Sequence, residues 1–317
     1  MARATRQVGW MAPKDLYVLT VIALTWSVAA AGSPQLRNDV ARSVASAAFK
    51  LSRRKRRGSE AMLRRVFGSR MSPRRLRIIL RRVFEEFWVD AFSLPRLRGA
   101  PEAAHGVIGG VEHLRSTLDE GRGAILWISN NFGRMTALKR TLYDHGFPVH
   151  KVHVVNHLGG FREAGDPDSW VQRRWITPFF DSHERALVAG IVSITPQSLA
   201  FVRQLSARLA DNGIVCMAGD VALGHRQLPL TFLGMPKRFP TGAVTLAKAT
   251  GAAILPTFSL RGPRRASRVV IEPPIHVRRD LDREGETENV LLRCIRRLEY
   301  YARRHPSLYL NWHAIAN

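Results

Sequence analysis

The sequence predicts an α/β fold, a mixed central sheet flanked by helices, preceded by an N-terminal membrane-associated helical segment. Three observations carry this expectation. From residue 111 onward, apolar runs of strand length alternate with segments of helical period, the alternation that layered α/β folds require. The run Ala124–Ser129 is almost wholly apolar and passes into the polar turn Asn130-Asn131-Phe132-Gly133, which opens a helix. In open α/β sheets that place usually holds ligands and reacting groups. The first 95 residues differ in texture, with one uncharged apolar run followed by a dense basic region.

The expected division is residues 1–95, an anchor helix and basic amphipathic region, and residues 96–317, the α/β domain. A chain of 317 residues can bury a full core, and its 45% apolar content is ordinary for a globular protein. Its charge is not ordinary: 49 Lys and Arg against 25 Asp and Glu leave +24. Such an excess favours anionic partners, meaning membrane lipid, an acidic protein or nucleic acid. No zinc spacing, RNA-recognition aromatic motif or helix-turn-helix accompanies the charge, which counts against nucleic acid. Cys216 and Cys294 stand far apart, fit no metal spacing, and read as free buried thiols.

Residues 16–31, LYVLTVIALTWSVAAA, are uncharged. They fall short of the ~20 residues that a span needs. Three readings compete: a signal peptide, suited by Arg3, Arg6 and Lys14 before the run and Ala29-Ala30-Ala31 at its end, an embedded or interfacial anchor helix, and a buried core helix. The basic segment that follows favours retention on the cytoplasmic side, and with it the anchor. Residues 50–82 hold fourteen Lys or Arg and the single acid Glu60. Interleaved apolar residues make this region amphipathic, suited both to an anionic membrane surface and to covering a core. From Pro73 to Phe92 the spacing is helical, with Ser72 as N-cap. Trp10 and Trp26 suit a membrane interface, while Trp88 suits the interface and the core equally.

Pro95–Gly110 reads as loop. Helices follow at Val111–Leu118, Thr136–His145, Pro196–Asn212, Val244–Thr250 and Glu288–His305. Strands are expected at Ala124–Ser129, Val149–Val155, Gly213–Ala218, Ala252–Leu260 and Arg268–Ile271, with a tight basic turn at Pro263–Arg268.

Three stretches together resemble the bacterial lipid A late acyltransferases of the lysophospholipid acyltransferase superfamily. They are GVEHLRSTLDEGRGAILWISNNFG at 110–133, GIVCMAGDVALGHRQLPLTFLGMPKRFPTGAVTLAKATGAAILPTFSLR at 213–261, and YYARRHPSLYLNWH at 300–313. The second is the most specific: an acid after a strand, a Phe-x-Gly-x-Pro turn, a Pro-x-Gly helix start and a strand ending in Pro, in that order. The resemblance implies a glycerolipid acyltransferase-like fold. It also implies transfer of a fatty acyl chain from a thioester, on acyl carrier protein or coenzyme A, to a hydroxyl of a membrane lipid. The place implied is the cytoplasmic face of the bacterial inner membrane, among anionic lipids. It implies no metal or resident cofactor.

The family motif is His-x-x-x-x-Asp/Glu, in which the His takes the proton of the attacking hydroxyl and the carboxylate orients the imidazole. Aligned on Phe132-Gly133, Asn131 stands in the His position and Thr136 in the carboxylate position. No His in the chain has an acid five residues after it, so the motif has not moved. Neutral Asn is a poor base, although its amide can donate to an oxyanion. Candidate replacement bases are Asp220, His225, His153 and His157, and Asp220 equally suits a capping role in its turn. Phe132, Gly133 and Arg134 in the turn, Lys237-Arg238, Gly242 and Arg261 are the candidate substrate-binding residues. Arg134 and Lys237-Arg238 are suited to lipid phosphate, and Gly242 to close backbone approach at a helix start. His313, in the closing Asn-Trp-His, reads as structural.

Overall fold

The computed structural model describes residues 10–11, 13–30, 34–92, 106–154, 169–194, 200–221, 226–262, 267–278 and 283–315. The N-terminal quarter folds into four helices, α1 (Pro13–Ala30), α2 (Pro34–Leu51), α3 (Arg53–Phe67) and α4 (Pro73–Ala91). The α/β part continues with β1 (Val107–Gly109), α5 (Val111–Asp119), β2 (Ala124–Ile128), α6 (Met135–Asp144) and β3 (Val149–Val154). After a π-type turn at Gln172–Ile176 come α7 (Thr177–Arg185), β4 (Gly190–Ile194), α8 (Ala200–Ala210) and β5 (Ile214–Ala218). The chain then forms β6 (Gln227–Phe232), β7 (Met235–Pro240), α9 (Gly242–Thr250), β8 (Ala253–Arg261), β9 (Ser267–Ile271) and α10 (Arg283–Arg304).

The seven-stranded sheet has the order β1-β9-β8-β2-β5-β3-β4. Strands β8, β2, β5, β3 and β4 are mutually parallel, while β9 runs against β8 and carries β1 parallel to itself. The sheet is mixed, as the sequence predicts. β2 lies between β8 and β5, with Ala124 in register with both Ala253 and Ile214. Every residue of β2 is buried. Ala124, Leu126 and Ile128 pack with Leu114 of α5 and Leu138 and Leu142 of α6. Ile125 and Trp127 face the opposite layer, with residues of α3, α4, α8, α9 and α10. A continuous apolar run is what a strand covered on both faces requires.

The helical layer follows the basic amphipathic reading. Met62 and Leu63 of α3, and Leu76, Ile79, Leu80 and Val83 of α4, enter the main core. The flanking arginines Arg53, Arg54, Arg64, Arg65, Arg74, Arg77 and Arg81 stay exposed. The hydroxyl of Ser72 accepts from Arg75 N (3.3 Å) ahead of Pro73, the expected N-cap. α2 has no strong apolar stripe; small Ala41 and Ala45 let it pack close beside Trp88 and Ala91 of α4. α1 lays one face on protein. Ser169 Oγ donates to Asp15 Oδ2 (2.6 Å), and Val18 packs with Val171 and Ile176. Among the described residues no helix is long and apolar enough to cross a membrane.

One expectation needs correction, and one element was not foreseen. Val107–Gly109, inside the segment read as loop, is a strand paired with β9. The chain also forms an antiparallel hairpin, β6–β7, around a turn with Leu233 and Gly234 at φ 52° and 80°. Its prolines and cations hide the period-two signal that would mark strands. α8 is described from Ala200, and residues 196–199 of the expected helix lie outside the described residues. Cys216 and Cys294 are free and buried.

Candidate active site

At the carboxyl ends of β2 and β5 two turns meet. Gly219 N donates to Ile128 O (2.9 Å), locking the end of β5 onto the end of β2. Residue 219 has to be glycine, because a Cβ there would lie 1.8 Å from Trp127 Nε1. The close approach brings Asp220, only 1% exposed, under the turn after β2. Its carboxylate accepts from the Ser129 hydroxyl, from Asn130 N (2.9 Å) and from Asn131 Nδ2 (2.9 Å).

Asp220 is an acceptor here, so the Asn131 amide nitrogen must face it. The amide oxygen of Asn131 accepts from Asn311 Nδ2 (2.5 Å). The C-terminal segment is stitched along the same turn. Leu310 N donates to Asn131 O (2.7 Å), Gly133 N donates to Leu308 O (2.8 Å), and Phe132 forms a bridge with Tyr309. Gly133 takes φ +75°, and a Cβ there would lie 2.2 Å from Ser259 O. Phe132 is buried against Phe258 and Tyr301 (centroids 5.9 and 6.2 Å), so it shapes the turn from beneath.

Lys237 reaches this cluster from β7. Its Nζ lies 3.4 Å from the Tyr309 hydroxyl and 5.5 and 5.7 Å from the ring centroids of Phe232 and Phe239. Burial pushes the Lys237 ammonium below its ordinary pKa, against the pull of Asp220. Burial, and then Asp220, push the Tyr309 phenol well above its ordinary value, so it stays protonated.

On the other side of the turn, α4 supplies two acids one helical turn apart. Arg134 Nε donates to Glu86 Oε2 (2.7 Å), and Glu86 also pairs with Arg261. Thr136 N, at the start of α6, donates to Asp90 Oδ2 (3.3 Å). A carboxylate therefore sits at the helix N-terminus although residue 136 is Thr, and it complements the helix dipole. Burial raises the pKa of Asp90, with Arg134 opposing. Burial lowers the pKa values of Arg134 and Arg261. Glu86, Arg134, Ser259, Arg261 and Leu308 border a shallow recess of about 10 Å³, room for a single water.

The fold thus gathers Asn131, Asp220 and Lys237 into one cluster, and Arg134 and Arg261 into a second beside it around Glu86. Asp220, read as a candidate base or turn cap, has its carboxylate engaged by three donors. Arg238 is exposed and bonds Gln227 across the hairpin (3.3 Å). Gly242 opens α9, and a Cβ there would meet Met217 Cε at 3.5 Å, an ordinary contact. His157 and His225 lie outside the described residues, and of His153 only the backbone, opposite Ser193, is described. Sequence reasoning missed Ser129, Glu86, Asp90 and Asn311, whose partners are distant in sequence. The signal available was two acids on the apolar stripe of α4.

Residues 189–314 match the family described as bacterial lipid A biosynthesis acyltransferase. The chain is also similar to the phosphatidylinositol mannoside acyltransferase of Mycobacterium tuberculosis, at 27% identity over 179 residues, which are 55% of this chain and 51% of that protein. The protein of the same name from Mycolicibacterium smegmatis is 26% identical over 182 residues, 55% of this chain and 52% of the relative. The chain spans about half the length of the curated relatives that it matches.

Proposed function

We propose that this chain, related to the lipid A-type acyltransferases, moves a fatty acyl chain from an acyl thioester to a hydroxyl of a membrane lipid or glycolipid, through a non-standard active site. The donor is carried on acyl carrier protein or coenzyme A, and the place is the cytoplasmic face of a bacterial inner membrane. The relatives named phosphatidylinositol mannoside acyltransferases support a glycolipid acceptor. One observation carries the reading. The residue in the motif's His position, Asn131, stands at the carboxyl end of β2 with its amide held by Asp220, the acid that the resemblance marks after β5.

In this reading Asn131 does not take a proton. One hydrogen of its amide goes to Asp220, and the second is aimed at the substrate as an oxyanion donor. Such a donor is worth about 10²- to 10³-fold in rate. Lys237 is the proton acceptor. Desolvation enlarges its neutral fraction, and it lies against the same C-terminal segment that holds Asn131. The acceptor hydroxyl gives its proton to Nζ while its oxygen attacks the thioester carbonyl; the C–S bond then breaks and the departing thiolate takes the proton back. Arg134 and Arg261 offer donors to phosphate at the adjoining recess.

A second reading has one specific observation in its favour. Both ends of the Asn131 amide already have protein partners, which suits a catalytically silent relative that binds lipid or a protein partner. The test uses purified protein in lipid vesicles, a radiolabelled long-chain thioester presented on each carrier, and total bacterial lipid as acceptor. Label entering lipid supports acyl transfer. Lipid binding without turnover supports the silent reading.

A further inference from the structure

The seven tryptophans fall into two groups. Trp88, Trp127 and Trp312 are buried, whereas Trp10, Trp26, Trp170 and Trp175 are between 47% and 68% exposed. All four exposed indoles belong to one corner of the molecule. Val171 N donates to Trp10 O (3.1 Å), joining the start of the helical region to the π-type turn. The bond from Ser169 to Asp15 and the packing of Val18 on Val171 and Ile176 continue the contact. The Trp26 ring lies 6.3 Å from that of Phe179 and 6.1 Å from that of His183. α1 and the helical stretch 170–185 therefore run side by side in the same direction. Leu16 and Leu24 on the outer side of α1, and Met11 before it, add exposed apolar surface. Apolar residues exposed singly are ordinary, but a collected patch built from two distant segments marks a contact face.

The chemistry of the patch identifies its occupant. Indoles prefer the layer between hydrocarbon and water, where the ring is half apolar and the N–H remains wet. The same stretch carries exposed Arg173, Arg174 and Arg185, and the Arg174 guanidinium lies 5.5 Å from the Trp175 ring centroid. Cations beside interfacial aromatics complement an anionic headgroup layer. The stretch is tied to the α/β part at its last turn, where Glu184 pairs with Lys139 of α6 and Lys151 of β3.

We propose that this corner docks on an anionic lipid bilayer, with the four indoles seated in the interfacial layer. Docking of this kind lies in the plane of the surface and needs no spanning helix. It sharpens the membrane part of the proposed function but requires no acyl chemistry, so the two stand or fall separately.

The test uses the full chain with vesicles of equal parts phosphatidylglycerol and phosphatidylethanolamine, and with phosphatidylcholine vesicles for comparison. Readouts are co-sedimentation and quenching of tryptophan fluorescence by brominated acyl chains. The unaltered protein binds the anionic vesicles and is quenched. The Trp170→Ser/Trp175→Ser variant loses binding about tenfold or more, from the apolar area withdrawn. Its unfolding midpoint stays in place because both rings are exposed. Leu16→Ser/Leu24→Ser, on the other half of the patch, weakens binding in the same direction without touching the π-type turn. Equal binding by both variants would overturn the proposal and leave the arginines of α3 and α4 as the membrane contact. Lipid-free dimers that the tryptophan variant abolishes would also overturn it, showing the corner to be a self-association face. Acyl transfer is not read in this experiment, so its failure elsewhere leaves the result standing.

Discussion

Replacing Asp220 by Asn is the most direct way to ask what holds the turn after β2. The carboxylate accepts from three donors: the Ser129 hydroxyl, Asn130 N and Asn131 Nδ2. An amide of the same shape has a single acceptor oxygen, and its NH₂ must face at least one of those donors. The Ser129 hydroxyl can rotate to accept from it, whereas the backbone N–H of Asn130 and the amide of Asn131 cannot. One or two buried donors lose their partner, at about 1–3 kcal/mol each. The expected loss is about 2–5 kcal/mol. For a chain of this size that lowers the unfolding midpoint by about 5–15 °C. The assay is thermal unfolding by circular dichroism at neutral pH, with Asp220→Ala as companion. Acyl transfer below the variant's midpoint should fall further than stability accounts for, since Asn131 is released. A midpoint within about one degree of the parent in both variants would refute the assignment of Asp220 as the clamp of this turn.

Three further expectations follow from the geometry. Gly219→Ala places a Cβ 1.8 Å from Trp127 Nε1 and should cost more than the usual 1–3 kcal/mol of overpacking, read as lost soluble yield and a lower midpoint. Burial pushes Glu184 upward, but Lys139 and Lys151 outweigh it and hold its pKa at about 2, against 4.5 for the free group. The unfolded chain therefore binds the extra proton, so this stabilisation, about 3 kcal/mol, is present above pH 4.5 and is lost as pH falls towards 2. Urea midpoints across that range should fall steeply for the parent and less for Glu184→Gln, which starts lower at pH 7 with two buried ammonium groups unbalanced. Lys237→Met should lower kcat with little change in KM and remove the acid limb of the pH–rate profile, the fall in rate as Lys237 takes up a proton. Lys237→Arg should not restore it, because guanidinium holds its proton; rescue by Arg would instead make residue 237 an electrostatic contact.

Much of the sheet was legible because β2, β5 and β8 are apolar on both faces, and an apolar run of strand length between polar turns fits best inside a covered sheet. The helices α4 and α10 were legible from their stripes, and α4 also from Ser72-Pro73. What escaped has physical causes. β1 has three residues, too few for any period. The strands of the β6–β7 hairpin carry Pro229, Pro236, Lys237 and Arg238, which mask alternation. α2 packs through Ala41 and Ala45, which small-residue helices do without a strong apolar face. In the site, Asn131 and Asp220 were visible through the resemblance, but their bond was not. Nor were the links of Asn131 to Asn311 and of Arg134 to Glu86, since only the fold brings together residues separated by 180 and 48 positions. The apolar run at 16–31 was open to three readings from sequence, because one-sided burial against Ser169, Val171 and Ile176 leaves no local trace.

The central claim is that this site is an acyl-transfer site with an amide in place of the imidazole. Asn131→His tests it most directly. Asp220 lies 2.9 Å from the nitrogen of Asn131, so an imidazole there meets a carboxylate without any change at Thr136. The measurement is initial transfer of radiolabelled acyl chain from carrier thioester to lipid, in vesicles, by the unaltered protein, Asn131→His and Asp220→Asn. The account predicts slow transfer by the unaltered protein, none above background by Asp220→Asn, and a rise of about 10²-fold or more in Asn131→His. No transfer by the unaltered protein or by Asn131→His, with both folded and bound to vesicles, would contradict it.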